Sequence, residues 1–179
     1  MRAKLYLPLA VAAACVLSAW TASGAAFIKF DGVDGEATDA GHRGWSDLES
    51  VDMGVSKEID PATGEPTGKV KVDRFCFTKR IDKSSPLLMG AAVDAEKVFP
   101  TVTIEFTREP GPDGGGCKLY LKYELQNVVV TSHKTNVDRN NPPGTEEICL
   151  SFGTLTVTYI PCNPDGTSGD PVTTTYTRN

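Results

Sequence analysis

Histidine occurs only twice in the 179 residues, at His42 and His133, and no G-x-S-x-G, H-E-x-x-H or G-x-x-x-x-G-K-[ST] pattern is present. Without a base beside a nucleophile, a metal pair or a phosphate cradle, no catalytic constellation assembles. The two histidines read as surface residues rather than general bases, and the expectation is a protein that is not an enzyme and needs no cofactor. A basic excess is also lacking. The formal net charge is -5, a poor match for nucleic acid or anionic lipid. Nothing repeats internally, and no apolar run reaches the about 20 residues of a membrane-spanning helix. With 40% hydrophobic and 23% charged residues, the chain fits one globular domain rather than a collagen-like, coiled-coil or disordered one.

The first 26 residues stand apart. Arg2 and Lys4 precede an apolar run from Leu5 to Ala19, followed by the small residues Ala22, Ser23, Gly24, Ala25 and Ala26. This is the layout of a secretory signal peptide cleaved between Gly24 and Phe27, which gives residues 1–26 as the leader and 27–179 as the domain. Losing Arg2 and Lys4 leaves sixteen basic against 23 acidic residues, a formal charge of -7. Cys15 follows three alanines, but the bulky residue expected three places before a lipoprotein cysteine is missing. The mature chain is thus expected outside the cytoplasm, periplasmic or secreted, with a lipoprotein through Cys15 as the lesser alternative.

Export governs how the cysteines read. Cys76, Cys117, Cys149 and Cys162 remain, all at least thirteen residues apart. Zinc sites want close pairs, so an even number in an exported chain favours two disulfides, with three connectivities open.

Strand signals dominate the rest. Phe27 to Phe30 is short and rich in strand formers, with Asp-Gly turns behind it. Lys69 to Thr78 alternates through Val70 and Val72, then Phe75 and Phe77, a change of phase near Arg74 that predicts a bulge. Thr101 to Thr107 sets Val102, Ile104 and Phe106 on one face. Lys118 to Ser132 and Glu146 to Ile160 are the longest, the latter shifting phase at Gly153. The polar loop Lys134 to Thr145, with Pro142, Pro143 and Gly144, makes them an antiparallel hairpin. Only Ser84-Ser85-Pro86 followed by Leu87 to Val93 asks to be helical, with a hydroxyl at the N-cap and proline at the first position. Residues 109–116, including Gly114-Gly115-Gly116, and 163–170 read as loops. Asp31 to Glu36 and Asn163 to Asp170 offer oxygen atoms but not the spacing of a calcium loop, so they read as turns and no metal is expected. About seven strands and one short helix predict a mainly β, single-domain small barrel or sandwich.

Several segments in order resemble one family. Phe27-Ile28-Lys29 followed by Gly35-Glu36, the run Phe77-Thr78-Lys79-Arg80-Ile81-Asp82-Lys83-Ser84-Ser85-Pro86-Leu87-Leu88-Met89, the strand Leu125 to Ser132, and Glu147 to Pro161 with its Leu150-Ser151-Phe152 core and Tyr159-Ile160-Pro161 ending are similar to the haemolysin-coregulated protein (Hcp) family of type VI secretion tube subunits. The resemblance implies a β-barrel of about six main strands with one flanking helix. It further implies homo-hexameric rings that stack into a tube, a lumen that holds effectors, and no active site. It also assigns the connection Glu58 to Gly68 to contact with the next ring, which makes Ile59, Pro61, Gly64 and Pro66 candidates for stacking. Read by itself, that connection is a turn-rich excursion without an apolar stripe. The chain departs from the family in its leader, its four mature cysteines, and Val51-Asp52-Met53 where the strand ending near Gly54 is often aromatic.

The function expected is therefore a non-enzymatic structural protein whose partners are further copies of itself, secreted effectors and other type VI components, with no nucleic acid and no membrane after cleavage. The alternative is a monomeric exported barrel that binds a small ligand or a partner protein, and a hydrolase with an unrecognised site is the third reading. Hairpin register adds a disulfide pairing. If the loop Lys134 to Thr145 closes about its middle, Cys117 and Cys162 face each other at the open end, where opposed Cα atoms lie roughly 4.5 to 5.5 Å apart. Cys76 is then left with Cys149. A bulge at Gly153 would shift the register by one.

Overall fold

A computed structural model describes residues 24–109 and 116–178, with only the backbone described at 69–73. Most of the expected leader, Cys15, Gly114 and Gly115, and the side chains of Val70 and Val72 lie outside the described residues. Eight strands and one helix follow one another among those that are described. They are β1 (Gly24–Phe30), β2 (Ser46–Ile59), β3 (Pro66–Arg80), α1 (Ser85–Val93), β4 (Phe99–Arg108), β5 (Leu119–Asn136), β6 (Thr145–Ser151), β7 (Thr154–Tyr159) and β8 (Val172–Thr177).

All strand pairings are antiparallel and run in the order β4-β1-β2-β3-β6-β5, and β4 pairs back onto β5. This closes a six-stranded barrel, the mainly β architecture with one helix that the sequence implies. Closure leaves no open edge around the wall and turns alternate residues inward. Ile28, Phe75, Phe77, Ile104, Leu125 and Ile148 fill the interior, each at most 2% exposed. Phe30 meets Phe99 edge-on at 5.0 Å, and Phe75 meets Phe152 at 5.9 Å, geometries that aromatic quadrupoles favour.

The segment Glu146 to Ile160 is two strands rather than one. β6 and β7 lie end to end along the same side of β5, and the pairing keeps one register from Val129↔Ser151 to Gln126↔Thr154. At the joint Asn127 takes a left-handed backbone (φ 54), and the Gly153 amide donates to the Gln126 carbonyl at 2.9 Å. Both chains change inward phase here together, which accounts for the irregularity seen at Gly153. The register shift in the hairpin lies elsewhere, at Thr131, between Val130↔Leu150 and Ser132↔Cys149. The bulge expected near Arg74 is present: Gly54 pairs with Arg74 and Val55 with Val72, so Asp73 is the extra residue.

Beyond the joint the sheet forks, β6 continuing to β3 and β7 to β8. β8 went unrecognised in the sequence because Val172 to Thr177 is nearly all polar. It is held by pairs such as Thr156 with Thr175, their hydroxyls 3.2 Å apart. α1 packs on β5. Ser85, Leu88 and Ala91 form its buried stripe, while Leu87, Met89 and Val93 face solvent.

Candidate assembly surface and the polar plug beneath the helix

The connection Glu58 to Gly68 is turn-rich, as its composition suggests, but the turn is confined to residues 60–65. β2 continues to Ile59 and β3 begins at Pro66, so both strands extend past the barrel as a two-stranded arm. β1 pairs with β2 only over Ser46 to Leu48, and β6 with β3 only over Phe75 to Arg80. The tip is a tight turn: the Asp60 amide donates to the Glu65 carbonyl (2.9 Å), the Gly64 amide to the Asp60 carbonyl (2.8 Å), and the Ala62 amide to Asp60 Oδ1 (2.8 Å). Gly64 has φ 72, a conformation that favours glycine. Of the stacking candidates, Ile59 ends β2 with half its surface exposed, Pro61 and Gly64 shape the tip, and Pro66 opens β3. All four thus gather at one end of the molecule, with Val55 exposed along the arm behind them.

The opposite end carries the Lys79-to-Pro86 motif. Inward alternation along β3 runs Phe75, Phe77, Lys79, and along β6 Glu146, Ile148, Leu150, so a lysine and a glutamate enter the barrel mouth side by side. Lys79 is 0% and Glu146 1% exposed. Lys79 Nζ reaches Asp82 Oδ1 (2.7 Å), Glu146 Oε1 (2.8 Å) and the Arg80 carbonyl (2.9 Å). The Ser85 hydroxyl donates to Glu146 Oε1 at 2.9 Å, and Ser46 Oγ donates to Asp82 Oδ2 at 2.7 Å. Asp82 also accepts from the Ser84 amide (2.8 Å) and hydroxyl (2.5 Å). Ser84 holds the N-cap position, but its hydroxyl turns to Asp82 instead of capping α1. Burial pushes the Asp82 carboxyl up, but donors from Lys79, Ser84 and Ser46 outweigh it and hold the group below the ordinary aspartate value.

Both histidine side chains are buried, contrary to the surface reading. The His133 side chain is 3% exposed, with Nε2 3.0 Å from Glu146 Oε2, and it joins the plug from β5; its Nδ1 has no protein partner. His42 stacks flat on Phe27 at 3.9 Å and sits between Asp39 Oδ1 (2.7 Å) and Glu105 Oε2 (3.0 Å). Hydrogen bonds from Lys118 and then His42 hold the Asp39 carboxyl far below the aspartate range. These clusters tie loops to the wall, and in neither is a nucleophile set against a free base. The acidic loops are turns: Asp34 pairs with Lys29, and Asp165 Oδ1 accepts from the Thr167 amide at 2.9 Å. Among the described residues no group of three or more metal-ligating side chains occurs, and no helix is long and apolar enough to cross a membrane.

Both disulfides have the expected pairing, Cys117–Cys162 from the hairpin register and Cys76–Cys149 as the pair that remains. Cys76 and Cys149 are directly opposed on β3 and β6, and Cys117 joins Cys162 with Cα atoms 5.5 Å apart. The β5–β7 register, carried past Leu121↔Tyr159, would set Cys162 against Lys118, one residue from Cys117.

Comparison with known proteins agrees with this architecture. The sequence model of a family described as "Type VI secretion system effector, Hcp" matches residues 27–159. Protein hcp1 of Pseudomonas aeruginosa is 33% identical over 149 residues, covering 82% of this chain and 90% of that protein. Among solved structures, one titled as a type six secretion system protein superposes with a TM-score of 0.76 at 26% identity, covering 87% of this chain and 96% of its own. A type VI secretion system effector from Yersinia pestis gives 0.65 at 25% identity, covering 86% and 99%.

Proposed function

Because the chain belongs to the Hcp family of type VI secretion system proteins, we propose that it is a non-enzymatic tube subunit that assembles into homo-hexameric rings and stacks them through the β2–β3 arm. The observation that carries this reading is the arm itself. It is a strand pair outside the closed wall, with exposed Val55 and Ile59, at the end of the molecule opposite α1. Ser46 begins β2 beside Asp82 at the helix start, and Ile59 ends it at the arm tip, so one copy presents its arm toward the helix end of the next. A contact between two different patches is heterologous. It generates closed rings where the rotation closes and open tubes where it does not.

In this reading the lumen of the ring holds effectors, and the mature domain works outside the cytoplasm after loss of its leader. The packed barrel interior supports the choice of a structural role over the ligand-binding monomer, since the side chains of Phe75, Phe77, Leu125 and Ile148 occupy the space in which a barrel would hold a small molecule.

Light scattering on purified mature protein tests the ring. A particle near six protomers is expected, whereas a mass of about 17 kDa, the 19.1 kDa chain less roughly 2 to 3 kDa of leader, would remove the reading. Deleting Pro61 to Pro66 is expected to abolish end-to-end stacking in electron micrographs while single rings persist. Loss of rings with the barrel still folded would assign the arm another task.

A further inference from the structure

We propose that Cys76–Cys149 is a thiol–disulfide exchange site, opened by an acidic low-molecular-weight thiol that attacks Cys149 from the Arg178 side, whereas Cys117–Cys162 is inert under the same conditions. Three observations converge on it. Arg74 lies across the bridge: its Nε is 3.2 Å from Cys76 Sγ and its Nη2 3.6 Å from Cys149 Sγ. A guanidinium beside a departing sulfur stabilises the thiolate and makes it a better leaving group, and the nearer sulfur, Cys76, gains more. At Cys117–Cys162 the donor to Cys162 Sγ among the described residues is a neutral one, the Cys117 amide at 3.2 Å.

The two cysteines also line different clefts. Cys149 lines one of about 250 Å³ in the fork of the sheet, with Arg74, Thr131, Ser151, Phe152 and Arg178. Cys76 lines a smaller one of about 110 Å³ with Asp52, Glu147 and Arg74. Displacement at sulfur proceeds in line with the bond that breaks, so a nucleophile in the larger cleft attacks Cys149 Sγ and expels Cys76 Sγ toward Arg74. Charge supports the same direction. Arg178, anchored through Nη1 to Ser151 Oγ at 2.6 Å, attracts a carboxylate-bearing thiol, while Asp52 and Glu147 repel one from the Cys76 side. Glu147 also lies 3.4 Å from Arg74 Nη2 and keeps the guanidinium over the bridge.

The chemistry balances with two external thiols. The first, as its thiolate, forms a mixed disulfide with Cys149 while the electron pair of the broken S–S bond leaves on Cys76, which takes a proton from water. The second, also as its thiolate, attacks the sulfur of the first and expels Cys149 as a thiolate, which takes a proton from water. The bridge ends as two thiols, and the external pair is oxidised to one disulfide.

The test treats the oxidised full-length chain with reduced glutathione, traps by alkylation and maps the peptides. The expected result is a glutathione adduct on Cys149, an alkylated Cys76 and an intact Cys117–Cys162. Arg74→Gln is expected to slow opening by about fivefold with glutathione and with neutral 2-mercaptoethanol alike, and Arg74→Lys to restore most of the rate. Arg178→Gln should slow glutathione and leave 2-mercaptoethanol unchanged. An adduct on Cys76, equal opening of both bridges in the unsubstituted chain, or arginine variants as fast as the parent would overturn the proposal. The comparison of the two bridges needs no variant, so it stands even if a substitution disturbs folding.

Discussion

Gly35 shows at the level of one residue why part of the resemblance exists. A Cβ built there would sit 2.2 Å from Ser46 Oγ and 2.3 Å from the Trp45 carbonyl, distances that only backbone movement relieves. Gly35→Ala is expected to lower stability by roughly 3 kcal/mol, read as a depressed midpoint in chemical denaturation. The plug residues serve the same end. Removing the carboxylate in Glu146→Ala strands Lys79 with Asp82 as its remaining anionic partner, and a loss of about 3 to 5 kcal/mol is expected. Asp82 sets the acid limb of stability. Its carboxyl titrates lower in the folded chain than unfolded, so its contribution is full above the unfolded value of about 4 and drains away as pH falls through the lower, folded value. Stability measured from pH 6 to pH 2 should fall less steeply for Asp82→Asn than for the parent. The lysine and glutamate were legible in the sequence as the third and first members of the inward series Phe75, Phe77, Lys79 and Glu146, Ile148, Leu150. Their chemistry obscured it, since a charged residue at the end of a strand reads as solvated unless its partner's register is known.

Among the elements, the strands with clean alternation were the ones the sequence revealed. Val102, Ile104 and Phe106 mark β4, and Leu119 to Val130 mark β5. β2 and β8 were obscured because neither has an uninterrupted buried face: β2 leaves the barrel wall, and β8 pairs only with β7 at the fork. The same fact hid the arm, whose strands answer to each other and not to the core. Cys76–Cys149 lies one pair inside the last β3–β6 contact, Phe75↔Leu150, and so clamps the root of the arm. Replacing both cysteines by serine is expected to cost about 2 to 4 kcal/mol and to raise amide exchange in the adjoining stretch of β2 and β3. Loss of stability without faster exchange at the root would separate the bridge from the arm.

At the scale of the whole molecule, the leader expected from the sequence and the first strand overlap. β1 is already paired at Gly24↔Arg108, Ala25↔Thr107 and Ala26↔Phe106. Cleavage directly after Gly24 keeps two of those pairs, whereas cleavage after Ala26 removes all three. Intact mass of the exported chain is expected to place the new N-terminus at Ala25, and a terminus at Phe27 would show that the barrel tolerates a shortened β1. The family and the barrel were readable from sequence because the motif residues are the ones that fix local geometry. The proposed ring rests on resemblance alone at the level of sequence, because exposed residues at an assembly surface carry no periodicity of their own.

Closure of the barrel has a consequence in time. β1 is zipped to β4, with Ala26 against Phe106, and β3 must wait for β6, with Cys76 against Cys149, so of the first three strands only β2 finds both its neighbours early. Contacts this distant along the sequence make folding slow, in the range of milliseconds to seconds for barrels of this kind, and the wall cannot shut on a ribosome until β6 has been made. Stopped-flow refolding is expected to show such a slow phase even with the disulfides kept reduced. A chain that stays open this long remains threadable, the state a polypeptide needs to be in to pass through an export pore before it folds.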